Sequence, residues 1–355
     1  MTKNITKLAK QLIRFPTTED NQKAKKQCFN FIINYLKNSR LKIKKIITPI
    51  GSALYITNTT TKPIICLVGH IDVVPGNYAD YIPKIIGNKL FGRGAIDMKG
   101  SVAVLIEVIK NAPAGTAPLS LLLVDDEEKS TGTAARVAIQ QLNLRPHFTI
   151  VAEQTDFNLV TQQKGTVNVT LTYRGRAAHS AEPQNGVNAL DKLIAKITQL
   201  QNLPLWKTKK KFRPTISLTT LAGGEAKNSI PATATATLNI RYTNGEDKRQ
   251  LLNGIKKIKE PRLKIGCVVK PLMTVPKNNC NLQRLKKLLD VFTCQTTAFE
   301  KSATGSDAKY FSEAGLPVVV FGPIGRNYHA KNEWADLKSL ESYYSILNQF
   351  INSYS

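Results

Sequence analysis

No stretch of this sequence approaches the ~20 consecutive apolar residues of a membrane-spanning helix, so no membrane span is expected. The start of the chain, Met1-Thr2-Lys3-Asn4-Ile5-Thr6-Lys7, leads into a short amphipathic segment without the apolar core or cleavage site of a signal peptide. Cysteine is sparse: Cys28, Cys66, Cys267, Cys280 and Cys294 are odd in number, scattered and free of any Cys-x-x-Cys pair. That pattern favours reduced, cytoplasmic thiols over a disulfide framework. Internal repeats and low-complexity tracts are also missing. Acidic residues are few, 25 against 50 Lys and Arg, which leaves a formal net charge of +25. Such an excess would suit an acidic partner. It is mostly lysine spread along the chain, clustered only at 207–211 and 256–264, with no aromatic-interleaved pattern of the nucleic-acid kind. Composition accounts for it, nucleic acid is not expected as a partner, and an acidic carrier protein stays open.

What is present is a globular chain of 355 residues, 42% hydrophobic and 21% charged, long enough for two domains. Helical periodicity runs over residues 5–13 and 22–36, with Pro16-Thr17-Thr18 as the break between them. Strands are expected at 41–47, 53–57, 64–68, 119–124 and 148–152, and a helix at 131–141. This strand–helix alternation argues for an α/β domain with a mainly parallel sheet and helices on both faces. After Gly165 the texture changes. Strands at 167–173, 215–221, 232–242 and 263–269, with helices at 187–198 and 248–258, follow the β-α-β-β-α-β order of a ferredoxin-like α+β domain. The expected organisation is a catalytic α/β domain over 1–164 and 273–355, interrupted by an inserted domain over 165–272. The resumed part reads as a helix at 282–292, a helix near 307–314, a strand at 317–321, the loop through His329, and a terminal helix.

Acids and imidazoles recur where the predicted strands end: His70, Asp72, Asp97, Asp126, Glu127, Glu128, Glu153 and His329. Ligands gather at the carboxyl ends of strands in α/β sheets. Carboxylates mixed with imidazole suit Zn²⁺ or a similar divalent ion. A lone acid after a strand is more often a helix cap, but a set of them at successive strand ends is harder to explain that way. The four adjacent acids Asp125-Asp126-Glu127-Glu128 repel one another unless a counter-charge stands near, and a metal pair would supply one.

These same residues carry a resemblance. Gly-His-x-Asp-Val-Val-Pro at 69–75, Gly-Arg-Gly-x-x-Asp-Met-Lys-Gly at 92–100, Asp-Glu-Glu at 126–128, Glu153 after a strand, and His-x-x-Asn-Glu at 329–333 resemble the M20 metallopeptidase family. That family includes succinyl-diaminopimelate desuccinylases, acetylornithine deacetylases, aminoacylases and glutamate carboxypeptidases. The resemblance implies a zinc-exopeptidase-like fold with an inserted lid that dimerises, and two zinc ions per subunit, with cobalt as a possible substitute. Asp97 would bridge the ions, His70 and Glu153 would complete one site, and Glu128 and His329 the other. Asp72 would orient the His70 imidazole, and Glu127 would be the general base for a metal-activated water. His179, in Ala-Ala-His-Ser-Ala-Glu-Pro, would donate to the oxyanion from the second subunit. Asn228 and Arg241 would hold a substrate carboxylate. Thr304-Gly305-Ser306-Asp307 resembles the family's pocket turn in altered order, so Gly305 and Ser306 would border the substrate. Arg326 is either a further anion contact or a solvated loop residue.

Glu153, where members acting at a free amino terminus tend to carry Asp, favours an N-acylated amino acid with a free carboxylate. The flanking Val151-Ala152 and Gln154-Thr155 depart from the pattern of typical biosynthetic deacylases. The expected activity is hydrolysis of an amide bond in an N-acylated amino acid or small peptide. A carboxypeptidase or dipeptidase, release of an amino acid from an acidic carrier, and a metal-dead binding paralogue are the alternatives.

Overall fold

The computed structural model describes residues 2–113, 115–129, 132–206, 211–257, 262–271 and 275–354. Of the lysine clusters read at 207–211 and 256–264, residues 207–210 and 258–261 fall outside these residues. Two compact units are present, one formed by Met1–Thr161, Met273–Glu300 and Ser306–Ser355, the other by Gln162–Leu272 and Lys301–Gly305.

The first unit is built on an eight-stranded sheet. Across the sheet the strands are Lys42–Ile47, Ser52–Thr57, Leu119–Val124, Ile65–His70, Phe148–Val151, Val318–Val320, Leu159–Gln163 and Phe299–Ser302. Its four central strands are mutually parallel. The sheet as a whole is mixed, because Ser52–Thr57 runs antiparallel to both its neighbours and Leu159–Gln163 runs antiparallel to Val318–Val320. The antiparallel edge at one side follows from local chemistry. Thr48 and Gly51 close a tight turn, with the Thr48 amide donating to the Gly51 carbonyl at 2.9 Å, and a short hairpin can only return antiparallel.

Both faces of the central strands are buried, which is what parallel strands covered by crossover helices require. In Leu119–Val124 every side chain is buried. Leu119, Leu121 and Leu123 join one large core, while Ser120, Leu122 and Val124 point to the other face. That core takes in Leu8 and Leu12 of helix Thr2–Ile13, Phe29 and Ile32 of Gln22–Tyr35, Leu105 and Val108 of Gly100–Lys110, and Tyr343 and Phe350 of Leu337–Asn352. Helices Ala134–Gln141 and Ala308–Glu313 serve the opposite face, Ala134–Gln141 meeting Ser52–Thr57 and Leu119–Val124. Burying each such aliphatic side chain is worth about 1.5–3 kcal/mol, so these strands hold the site on a stiff frame.

The second unit has strands in the order Thr215–Gly223, Thr233–Tyr242, Gly165–Arg174, Arg262–Val269, all antiparallel. With helices Ala189–Gln201 and Gly245–Lys256, this is the split β-α-β-β-α-β arrangement. Val167, Val169 and Leu171 alternate with half-buried residues and pack, with Leu238 and Ile240, on Leu193, Ile197 and Leu251.

Short elements escaped the periodicity reading: a hairpin of Lys84–Ile86 and Lys89–Phe91, the strand Trp334–Asp336 paired with it, and Leu159–Gln163. Three residues are too few to show a period of two, and the five of Leu159–Gln163 are nearly all buried, so they do not alternate. No described helix is long and apolar enough to cross a membrane.

Candidate metal centre

The parallel register puts four chain segments at one edge of the sheet. His70 pairs with Val124, Val68 with Val151, and Val151 with Val320, so the loops that follow all leave together. These loops carry Asp72, Glu127 and Glu128, Glu153, and His329.

His70 is the last residue of its strand and is almost fully buried. Its Nδ1 lies 3.0 Å from the main-chain carbonyl of Asp72, and a carbonyl can only accept, so Nδ1 carries the proton. The Asp72 carboxylate stands 3.5 Å from the same nitrogen, while its other oxygen accepts the Glu128 amide at 2.8 Å. Asp72 thus orients His70 mainly through its backbone and anchors the Glu128 loop through its side chain. The opposite ring nitrogen, Nε2, faces Asp97 at 3.2 Å and Glu153 at 3.8 Å.

Asp97 is central to the cluster. Its second oxygen lies 3.1 Å from His329 Nε2, which is itself 3.0 Å from Glu128. The ligand atoms of His70, Asp97 and Glu128 all lie within 4.8 Å of one another. Asp97 precedes helix Gly100–Lys110 on a non-helical backbone (φ −120°, ψ 86°), and the Asp97–Met98 peptide is cis. Gly94 opens this segment with φ +81°, where a Cβ would come within 2.7 Å of Val73, so only glycine fits.

The four consecutive acids divide into two pairs. Asp125 accepts the Ser52 amide at 2.6 Å, and Asp126 accepts the amides of Thr133 and Ala134 at 2.7 and 3.0 Å, capping the next helix. Ordinary backbone donors account for both, so the repulsion argument applies to Glu127 and Glu128 alone. Glu128 reaches His329, and Glu127 sits beside it, half-buried.

The electrostatics follow from crowding. Burial pushes Glu127 up to about 8, opposed by His70 and aided by the negative charges of Asp307 and Glu128. Burial likewise raises Glu153 well above the carboxylate range. For Asp97 burial works upward too, but the hydrogen bonds from His329 and His70 outweigh it and hold the carboxyl far below its usual value. Hydrogen bonds to Asp97 and Glu128 raise His329 to about 10. Burial lowers the His70 pKa, yet Asp72, Asp97 and Glu153 outweigh it and hold the ring well above its ordinary value.

This donor set fits a divalent cation. A neutral His70, protonated on Nδ1, would aim a bare Nε2 lone pair at two carboxylates, an arrangement that needs either a second proton or a cation between them. Imidazole nitrogen and carboxylate oxygen are the ligands zinc takes.

The remaining expected residues have the following surroundings. His179 is exposed and its Nδ1 accepts the Ala181 amide at 3.1 Å, so the neutral ring holds its proton on Nε2. It pairs with Ser229 across a short antiparallel bridge, and the Ser180 amide donates to the Asn228 carbonyl at 2.9 Å, which brings His179 and Asn228 side by side within the second unit. Arg241 is half-buried on Thr233–Tyr242, its Nε donating to Asn239 at 3.2 Å. Gly305 is exposed, whereas Ser306 is buried and accepts the Ala308 amide at 3.3 Å. Arg326 is paired with Asp156 at 2.7 Å.

Several supports were not read from the sequence. Thr17, in the break between the first two helices, is fully buried. Its hydroxyl donates to the Ile71 carbonyl, and its own carbonyl accepts the Val73 amide at 3.2 Å. Glu333 accepts from Arg93 and from three amides of the Asp97 segment. Lys99 is buried with its Nζ on the Phe15 carbonyl at 2.6 Å. The one available signal was that Arg93, Lys99 and Glu333 lie within the quoted motifs.

Fold and site together define a metal-dependent hydrolase on an α/β sheet. The model for peptidase family M20/M25/M40 matches residues 66–353, and the chain belongs to that family. It is 33% identical over 301 residues to a succinyl-diaminopimelate desuccinylase of Helicobacter pylori, covering 79% of this chain and 78% of that one. Among solved structures it resembles a tripeptidase from Staphylococcus aureus (TM-score 0.84, 17% identity, 99% of this chain and 98% of that one). It also resembles an M20 metallo-carboxypeptidase from Sulfolobus solfataricus (TM-score 0.82, 16% identity, 98% of each chain). At such identities the two structures speak to the fold alone.

Proposed function

We propose that this hydrolase removes the acyl group from an N-acylated amino acid in a desuccinylase-type reaction. Two zinc ions would be held by His70, Asp97, Glu128, Glu153 and His329, with cobalt able to replace them. The observation that carries this reading is that the Asp97 carboxylate joins His70 on one oxygen to His329 on the other, with Glu153 beside His70 and Glu128 beside His329. The similarity to a desuccinylase supports the substrate class.

Bound cations would polarise the scissile carbonyl and ease deprotonation of the attacking water. Glu127 takes the proton from that water and returns it to the departing amine. Asp72 keeps His70 in the tautomer that leaves Nε2 free. His179 donates its Nε2 proton to the developing oxyanion, supplied across a dimer. Arg241 grips the substrate carboxylate through two hydrogen bonds, Asn228 adds a third, and Gly305 with Ser306 borders the acyl chain.

Residues 165–272 serve as lid and dimerisation domain. Thr215–Gly223 is an edge strand exposed at every residue but Ile216, and Leu218, Leu221 and Ile194 are exposed large apolar residues, a surface suited to strand pairing with a second copy. Exposed Cys280 and Cys294 are free, which supports a reducing, cytoplasmic setting.

The test is turnover of N-succinyl- and N-acetyl-amino acids against dipeptides by the zinc-loaded protein. Preference for dipeptides replaces deacylase with dipeptidase, and loss of zinc without loss of turnover removes the reading. One observation favours a second substrate form, an amino acid attached to an acidic carrier. Lys3, Lys7, Lys10 and Arg14 line a cleft of ≈380 Å³ with Ile85, and among the described residues none of the four forms an ion pair. Steep salt sensitivity with a carrier-linked substrate and none with a small one supports it.

A further inference from the structure

We infer that Glu333 is a positioning residue for the metal centre, and that its carboxylate sets where Asp97 stands. The inference rests on the reading of Asp97 as the shared metal ligand. Glu333 is only 3% exposed, and both of its oxygens are doubly engaged. One accepts Arg93 Nη1 at 2.8 Å and the Gly94 amide at 2.9 Å. The other accepts the amides of Ile96 and Asp97, each at 3.1 Å. Successive amides turned toward one point form a concavity that calls for an anion, and here the anion is a side chain of the same protein.

The backbone it holds is a single wide turn, in which the Lys99 amide donates to the Gly94 carbonyl at 2.7 Å and the Gly100 amide to the Ala95 carbonyl, while the amides of Gly94, Ile96 and Asp97 go to Glu333. Gly94 is left-handed, and Asp97 and Met98 have non-helical angles, so the helix that starts at Gly100 does not dictate their course. Glu333 arrives by register: Trp334 pairs with Phe91 in an antiparallel ladder, and the Gly92 amide donates to the Glu333 carbonyl at 3.0 Å. His329 lies four residues earlier on the same loop. One carboxylate therefore ties the segment bearing Asp97 to the segment bearing His329, whose side chains meet at 3.1 Å. A buried carboxylate with an arginine and three amides around it is satisfied, and removing its acceptor capacity leaves those donors unpaired.

Glu333→Gln isolates that capacity. It preserves shape but turns one oxygen into an NH₂ group facing two N–H donors. Zinc titration of metal-free protein is the readout, with the melting temperature of the metal-free and zinc-loaded forms. We expect zinc affinity about 10–100-fold weaker, with circular dichroism of the folded protein unchanged and the zinc-induced rise in Tm diminished. Arg93→Lys, which leaves all three amides on Glu333, should show a smaller loss, and Lys331→Gln on the same exposed loop should show none. Unchanged zinc affinity in folded Glu333→Gln, or equal falls in Tm with and without zinc, overturns the inference and leaves Glu333 a structural residue. If Glu333→Gln does not fold, Arg93→Lys decides, and wild-type affinity there is the overturning result. A wild-type protein that binds no zinc would instead remove the reading on which the inference rests, before any variant is made.

Discussion

Glu127→Gln separates the chemistry from the fold. Glu127 is half-buried beside Glu128, and Asp307 and Glu128 add to the burial that pushes its carboxyl up to about 8. A neutral amide of the same shape relieves that crowding. The expected Tm is therefore equal to or above that of the wild type, and zinc content is unchanged because Glu127 is not a proposed ligand. Turnover should still collapse. Loss of a general base removes about 10²–10⁴ in rate, which corresponds to about 2.7–5.4 kcal/mol of barrier. The assay is kcat for an N-succinyl-amino acid at saturating zinc, with metal content and thermal melts on the same samples. Retention of wild-type kcat with full zinc would refute the assigned base. A fall in zinc content parallel to the fall in kcat would mean that Glu127 is a ligand instead.

Other outcomes follow from the same geometry. His179→Ala should lower kcat by about 10²–10³ with little change in KM, and an effect confined to KM would make it a substrate-positioning group. Arg241→Met should raise KM for carboxylate-bearing substrates by about 10–100-fold, the cost of about 1.5–3 kcal/mol for a charge-assisted hydrogen bond, with kcat largely retained. Zinc binding should release protons, since each ligand imidazole must be neutral and His329 is raised to about 10. Apparent zinc affinity therefore climbs as pH rises from about 6 toward 9, and calorimetry in buffers of different ionisation enthalpy reads the protons directly. By the same sign, the His329 ion pairs stabilise the metal-free protein below about 6.5 and lose that contribution as pH rises toward 10. Leu121→Ala, in the middle of a strand buried on both faces, should cost about 2–5 kcal/mol in unfolding free energy.

Most of the sheet and the side chains of the candidate cluster were legible in the sequence. Leu119–Val124 is a six-residue apolar run with turns at both ends, and a fully buried central strand produces that pattern. His70, Glu128 and Glu153 stand out as a set, because acids and imidazoles recur just after such runs. Bringing them to one place required more, namely the parallel register that aligns His70 with Val124 and Val68 with Val151. The antiparallel edges of the sheet were not read, because alternation reports which face is buried and says nothing of strand direction.

Residue type and spacing determined which groups could bind a cation, since hydrophobic periodicity and side-chain chemistry are properties of the linear order. Only the tertiary structure decided how those groups are used. It assigned Asp125 and Asp126 to backbone donors at Ser52 and Thr133, leaving Glu127 and Glu128 to the site. It also recruited Thr17 and Glu333 to hold the loops of His70 and Asp97 from across the chain. Hydrogen-bond partners separated by dozens or hundreds of residues are chosen by packing, and no local pattern records them.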